Sequence, residues 1–297
     1  MPTIAVLILS LSAVAHASWN LFGKRAAHSG LPFYGIACGA AALLSLPGLL
    51  LGLHWLPRLP TGFYALVAGT GMAQGVYLVG LARAYRFGAL GLAYPVVRAL
   101  PVLLVPLGSQ LLFSHQPPAS VAAGMALIAT GTLLLARAGK AGGQQGKTLL
   151  WAATAALGTV GYSIIDYQAL KLLQAHLAGT PRWQLMGFYA ACQAWSTALI
   201  LGLLLCRRAQ RRQVSTLLRH NAGSALGAGA IMFLTYALVL LSYLFVHDVS
   251  YAVAFRQLSI PIGVALGALF LNEPLDREKI VGNGVLLAGL LMVALGN

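Results

Sequence analysis

Apolar runs of about 20 residues recur from one end of this 297-residue chain to the other, separated by short basic segments. No other feature limits the fold so tightly. A helix of ~20 apolar residues matches the ~30 Å hydrocarbon core of a bilayer. Lipid offers no partner to backbone polar groups, so each such run must be α-helical. Ten spans can be drawn, at approximately 3–22, 32–53, 61–82, 89–112, 119–137, 149–170, 183–205, 222–245, 249–271 and 279–296. A soluble protein with an outsized core is the alternative, and composition argues against it. Only 8% of the residues are charged, against roughly a quarter in a soluble domain, and mean hydropathy is +0.81. The expectation is an all-α integral membrane protein, multi-pass, in a plasma (inner) membrane.

The net charge of +14 sits mainly in the loops. That is the positive-inside pattern, not the basic patch of a nucleic-acid binder, so the expected partner is the lipid bilayer and no nucleic acid. The loops joining odd spans to the following even span hold 14 Lys and Arg, and the opposite side holds three, Arg58, Lys171 and Arg182. The rule then places the basic face in the cytoplasm and both termini outside. The first run starts at Thr3 with no basic residue before it and reads as a retained helix. Cys38, Cys192 and Cys206 have no metal-ligand spacing and read as small apolar residues in or beside helices.

The two halves of the chain resemble each other. A shift of 158 residues superposes Arg98 on Arg256, His115 on Glu273, Gly124 on Gly282 and Gly131 on Gly289 without gaps. The boundaries follow: residues 1–138 form a first five-helix repeat, 139–148 a glycine-rich linker, and 149–297 a second five-helix repeat. An odd number of helices per repeat makes the second copy enter the membrane from the opposite side. The predicted architecture is therefore ten transmembrane helices in two inverted five-helix repeats, with a site near the midplane between them. Glycine pairs at four-residue spacing (Gly35/Gly39, Gly48/Gly52, Gly71/Gly75, Gly223/Gly227, Gly263/Gly267) read as close helix packing.

Polar residues at membrane depth carry the functional expectations. Arg98 lies about nine residues, roughly 13 Å, into its span, and Arg256 is at a similar depth. Prolines flank both, at Pro95, Pro101 and Pro106 in span four and at Pro261 in span nine, so both spans are expected to be broken. Of the five acidic residues only Asp166 falls well inside a span, while Asp248 opens span nine. Positive charge is thus left over, and a carboxylate, phosphate or phosphonate on a substrate would answer it through arginine's planar fork. Two other readings remain open: arginines bridging carbonyls freed by the prolines, or an ion pair of Arg256 with Asp166 or Asp248. His16 and Asp166 are proton-coupling candidates, with an interhelical hydrogen bond and an ion pair as their alternatives. Gln74 and Gln193 lie mid-span and could line a cavity or join helices. Trp19, Tyr77, Tyr94, Tyr162 and Tyr236 suit a cavity for an amphipathic metabolite or a bilayer interface. Trp55, Trp151 and Trp183 read as interfacial anchors.

Several short stretches carry a resemblance: Ala17-Ser18-Trp19-Asn20 with Lys24-Arg25, Ala93-Tyr94-Pro95, and Pro261 followed by Leu271-Asn272-Glu273-Pro274-Leu275 and Gly282. In these the chain resembles the EamA-type branch of the drug/metabolite transporter superfamily over essentially its full length. Phe113-Ser114-His115 stands where that family usually has an acidic turn. The resemblance implies a secondary-active carrier working by alternating access, often an exporter. Combined with the arginines, it points to a small polar metabolite, an amino acid or an organic anion such as a carboxylate or phosphonate. A proton or counter-substrate would drive it. The expected substrate-binding set is Arg98, Arg256, Tyr94, Gln74, Trp19, Gln193 and Tyr236. No catalytic motif, metal-ligand cluster or nucleotide loop appears, so no enzyme activity, metal or cofactor is expected, and the protein would act as monomer or homodimer. The alternatives are a lipid-linked or multidrug carrier of the same fold, or a non-transporting membrane subunit.

Overall fold

The computed structural model describes residues 2–25, 30–87, 90–113, 117–137, 145–220, 222–271 and 276–295, without the side chains of residues 20–25, 90–92, 94, 95, 112, 113, 136, 137, 145, 267, 270 and 271. The described residues are helical throughout, with no strand among them. The helices are α1 (Thr3–Arg25), α2 (Gly30–Gly52), α3 (Thr61–Phe87), α4 (Leu90–Phe113), α5 (Ala119–Arg137) and α6 (Gln145–His176). They continue with α7 (Arg182–Leu204), α8 (Arg208–His220), α9 (Ala222–Tyr243), α10 (Val249–Phe255), α11 (Ser259–Leu271) and α12 (Arg277–Leu295). Short 3-10 turns lie at Leu53–Arg58 and Arg256–Leu258. Gly179, at φ +86°, supplies the left-handed residue in the turn between α6 and α7.

Among the described residues seven helical segments are long and apolar enough to cross a membrane, and three shorter apolar helices cover Thr3–Trp19, Val96–Leu111 and Ala119–Leu135. The distribution of side chains is that of a protein solvated by lipid. Leu111 is 85% exposed and Leu7 65%, whereas Arg98 is 8% exposed and Asp166 fully buried. A water-solvated surface would select the opposite arrangement.

The main packing pairs are α3 with α6, α1 with α9, α2 with α7, and α5 with α12. α4 lies against α5 and α6, and α1 also touches α10 and α11. Glycine brings the α5 and α12 backbones together. A Cβ at Gly124 would stand 2.8 Å from the Gly289 carbonyl oxygen, and one at Gly131 2.6 Å from that of Gly282. The two contacts run in opposite chain directions, so the helices cross antiparallel. Gly48 meets the Gly187 backbone of α7 in the same way, at 2.4 Å. Of the spaced glycines, Gly35, Gly48, Gly52, Gly71 and Gly75 meet residues of α7 or the adjoining Leu205, because α7 packs against both α2 and α3. Gly39, Gly223, Gly227 and Gly263 face open space instead, and the Gly267 side of its pair lies outside the described residues.

Three expectations are corrected. First, α4 continues as one α-helix through Pro95, Pro101 and Pro106, packed against α5 and α6; a membrane-spanning helix tolerates proline where neighbouring helices surround it. The break occurs only in the Arg256 helix, where Pro261 cannot donate to the carbonyl four residues back, that of Gln257. There the backbone tightens into the 3-10 turn: the Ser259 N–H donates to the Arg256 and Gln257 carbonyls, and Ser259 Oγ adds a second bond to that of Arg256 at 2.9 Å. Second, the arginine-rich link between the spans drawn at 183–205 and 222–245 is a helix, α8. Its Gln210, Val214 and Leu217 are half-buried on the side packed to α2 and α9, while Arg208, Arg211, Arg212 and Arg219 are exposed. Third, Trp55 is buried edge-on against Phe188 at 5.4 Å between ring centroids, not placed at an interface. Trp183 is 59% exposed.

Candidate functional site

The polar residues of six helices and one 3-10 turn converge on two adjoining chambers inside the bundle. α1 contributes His16 and Trp19, α3 Gln74 and Tyr77, α4 Arg98, α6 Tyr162, α7 Gln193, α9 Tyr236, and the 3-10 turn Arg256. The smaller chamber has about 430 Å³ of empty volume and the larger about 700 Å³, counting space open to solvent. His16, Tyr77, Tyr162 and Arg256 line both. Arg98, Pro101, Thr159 and Gln257 belong to the smaller chamber, and Trp19, Gln74, Gln193, Thr197 and Tyr236 to the larger.

The arginines are held unequally. Arg98 Nη2 donates to Ser259 Oγ at 2.8 Å, and the same hydroxyl donates onward to the Arg256 carbonyl. Ser259 therefore ties the α4 guanidinium to the broken helix. Arg256 is 7% exposed. Its Nη2 reaches the Tyr162 hydroxyl only at 3.5 Å, the outer limit of a hydrogen bond, and its guanidinium stands 5.6 Å over the Tyr236 ring. Its Nη1 has no hydrogen-bond partner among the described residues. A buried donor left unmade costs about 1–3 kcal/mol, more when charged, so the Arg256 fork is set to receive an acceptor. Beside it the side-chain oxygen Oε1 of Gln257 is likewise buried without a partner.

The acids are already engaged. Asp166 lines neither chamber; it sits behind the larger one and accepts three hydroxyls. Thr70 Oγ1 reaches its Oδ1 at 2.5 Å and Tyr189 at 2.6 Å, while Tyr236 bonds Oδ2. Three donors suit an acceptor-only carboxylate; protonation would turn one of its oxygens into a donor and displace one of them. Tyr236 stands between Asp166 and Arg256, its hydroxyl on the acid and its ring under the cation. Asp248 caps α10, accepting from the Ser250 N–H at 2.6 Å and from Ser109 at 2.5 Å. His16 Nδ1 accepts from the Trp19 indole N–H at 3.3 Å, with the rings edge-on. That bond requires Nδ1 to be unprotonated.

Of the residues expected from sequence, the fold brings Arg98, Arg256, Gln74, Trp19, Gln193, Tyr236 and His16 to the chambers, and sets Asp166 one side chain away. The Tyr94 side chain lies outside the described residues, as do those of His115 and Glu273. Gln257, Ser259, Thr70 and Tyr189 were not singled out. Tyr189 precedes Gln193 by four residues and so shares its helix face, a signal open to reading. Gln257 follows Arg256 directly in the 3-10 turn and lines the smaller chamber with it, a pairing that no helical periodicity announces. Among the described residues no group of three His, Cys, Asp or Glu could hold a metal ion.

No family model matches the chain, and no curated protein matches it. A solved structure described only as "Crystal structure of protein" is similar over 98% of this chain and 97% of its own, with a TM-score of 0.65 at 18% identity. At that identity the likeness is one of fold alone.

Proposed function

We propose that this protein is an EamA-type secondary carrier of an organic anion, with ten spans in two inverted five-helix repeats. The packing supports the repeat. Exchanging α1 with α6, α2 with α7, α3 with α9, α4 with α10–α11 and α5 with α12 carries the contact α1–α9 onto α6–α3, and α2–α9 onto α7–α3. It also carries Gly124–Gly289 onto Gly282–Gly131. Equivalent helices that cross antiparallel, as α5 and α12 do, belong to copies of opposite orientation.

The observation that carries the function is the Arg256 guanidinium, buried with one nitrogen unpartnered. It faces a chamber shared with Arg98 and lined by no acid among the described residues. An ion pair with Asp166 or Asp248 would have made the arginine structural; both acids are instead occupied by hydroxyls and a backbone amide. A substrate carboxylate, phosphonate or the carboxylate of an amino acid would complete the fork. Transport would proceed by alternating access around the chambers, with the Arg256–Leu258 turn as hinge. Asp166 and His16 would couple it to protons through Tyr236 and Trp19. Export, an inner-membrane location and external termini complete the reading. Purified protein in liposomes tests it: a pH gradient should drive saturable uptake of a carboxylate or phosphonate. Failure to move any carboxylate, phosphonate or amino acid would return the chain to a non-transporting role.

A further inference from the structure

The two chambers differ in chemistry, and the difference narrows the substrate. The smaller presents guanidinium, hydroxyl and amide groups. The larger is walled by Trp19, Met232 and Phe233, and opened up by the short side chains of Ala41, Ala190 and Ala194. Arg256 stands at the junction and lines both. A molecule that fills them has an anionic group at the arginines and an apolar body, ring-sized or branched, among the alanines. The amides of Gln74 and Gln193 also line the larger chamber and could meet one neutral polar group on that body.

The same walls disfavour a positive charge. Neither chamber is lined by Asp or Glu among the described residues. Asp166 is fully buried behind three hydroxyls, and Asp248 caps the start of α10, accepting from the Ser250 N–H and Ser109. The Tyr236 face, which could otherwise hold a cation, already lies under Arg256. An α-ammonium group next to the bound carboxylate would meet Arg98, Arg256 and His16; Gln257 Oε1 offers it a neutral acceptor but no compensating anion lines the chamber among the described residues.

Resting on the carrier reading, we infer that the substrate is an amphipathic organic anion without an ammonium group, an aryl- or branched-alkyl carboxylate or phosphonate, and not the corresponding amino acid. The apolar chamber selects the body and the arginine pair selects the charge.

Four compounds of matched shape test this on the purified wild-type protein: 3-phenylpropanoate, phenylalanine, propanoate and 2-phenylethylamine. Affinities would be read by titration calorimetry or ligand-induced thermal shift. 3-Phenylpropanoate should bind at least about tenfold more tightly than propanoate, the change expected from burying one ring, and at least about tenfold more tightly than phenylalanine; 2-phenylethylamine should not bind. Ala194→Leu, which fills the apolar chamber, should erase the advantage over propanoate, with circular dichroism confirming its fold. Phenylalanine binding as well as 3-phenylpropanoate, propanoate binding as well, or no binding of either anion each overturns the inference. The carrier reading is judged apart from it, by pH-gradient uptake of a wider panel of carboxylates, phosphonates and amino acids in liposomes. Uptake there without the stated preference removes this inference alone; uptake of nothing removes both.

Discussion

Arg256 and Arg98 line one chamber and are held differently. Arg98 is anchored by Ser259, whereas Arg256, which lines both chambers, keeps one buried nitrogen without a partner among the described residues. Arg256→Gln should therefore weaken anion affinity more than Arg98→Gln, by about 10–100-fold, the effect of losing a charge-assisted hydrogen bond. Arg256→Lys should recover only part of it, because an ammonium cannot form the bidentate fork. Isothermal titration with the best-bound anion checks both. Tyr236 is the link to Asp166. Tyr236→Phe removes a hydroxyl from the acid while keeping the ring under Arg256, so it should leave anion binding near wild type and flatten the pH dependence of uptake. A variant whose uptake follows the wild-type pH profile would show that the link carries no coupling. These side chains were legible early because charge and amide groups at membrane depth are expensive and rare. Their partners were not: Thr70, Tyr189 and Ser259 are ordinary helix residues until the fold places an acid or a guanidinium beside them.

Among the elements, α4 and the α10–α11 segment show how the same proline-rich pattern yields two backbones. Sequence predicts a break in both. α4 stays continuous, packed against α5 and α6, and the break falls at Arg256–Leu258, where the Ser259 N–H reaches the Gln257 carbonyl and its hydroxyl the Arg256 carbonyl. Ser259→Ala should thus loosen the turn and release Arg98 together; faster hydrogen exchange at Arg256–Leu258 is the expected readout. The α5–α12 crossing is the other element on which the bundle depends. A side chain at Gly124 or Gly289 would strike backbone atoms at 2.8 and 2.5 Å. Gly124→Leu or Gly289→Leu should lower the melting temperature in detergent by several degrees or prevent accumulation, while Gly263→Ala, facing open space, should change it little. The helix boundaries themselves were readable to within a few residues, because apolar length is set by the bilayer. α8 was not, because an arginine-rich stretch with half-buried Gln210, Val214 and Leu217 looks like a loop until its period of three to four is given a surface to lie on.

For the whole molecule, the apolar exterior and polar interior follow from composition. What the sequence does not reveal is which helices meet, since that depends on glycine contacts such as Gly48–Gly187 that have no signature beyond small size. In the orientation proposed from the charge count, α8 and the preceding exposed Cys206 lie on the cytoplasmic side, while Cys38 and Cys192 are buried. A membrane-impermeant maleimide should therefore leave intact cells unlabelled and label Cys206 once they are permeabilised; labelling of intact cells would reverse the orientation. The central claim is that an arginine pair in a membrane carrier reads an organic anion. Uptake of a labelled carboxylate into liposomes holding the wild-type protein or the Arg98→Gln/Arg256→Gln double variant tests it most directly. The account predicts saturable uptake driven by a pH gradient in the wild type and its loss in an equally folded double variant; equal saturable uptake by the two would contradict it.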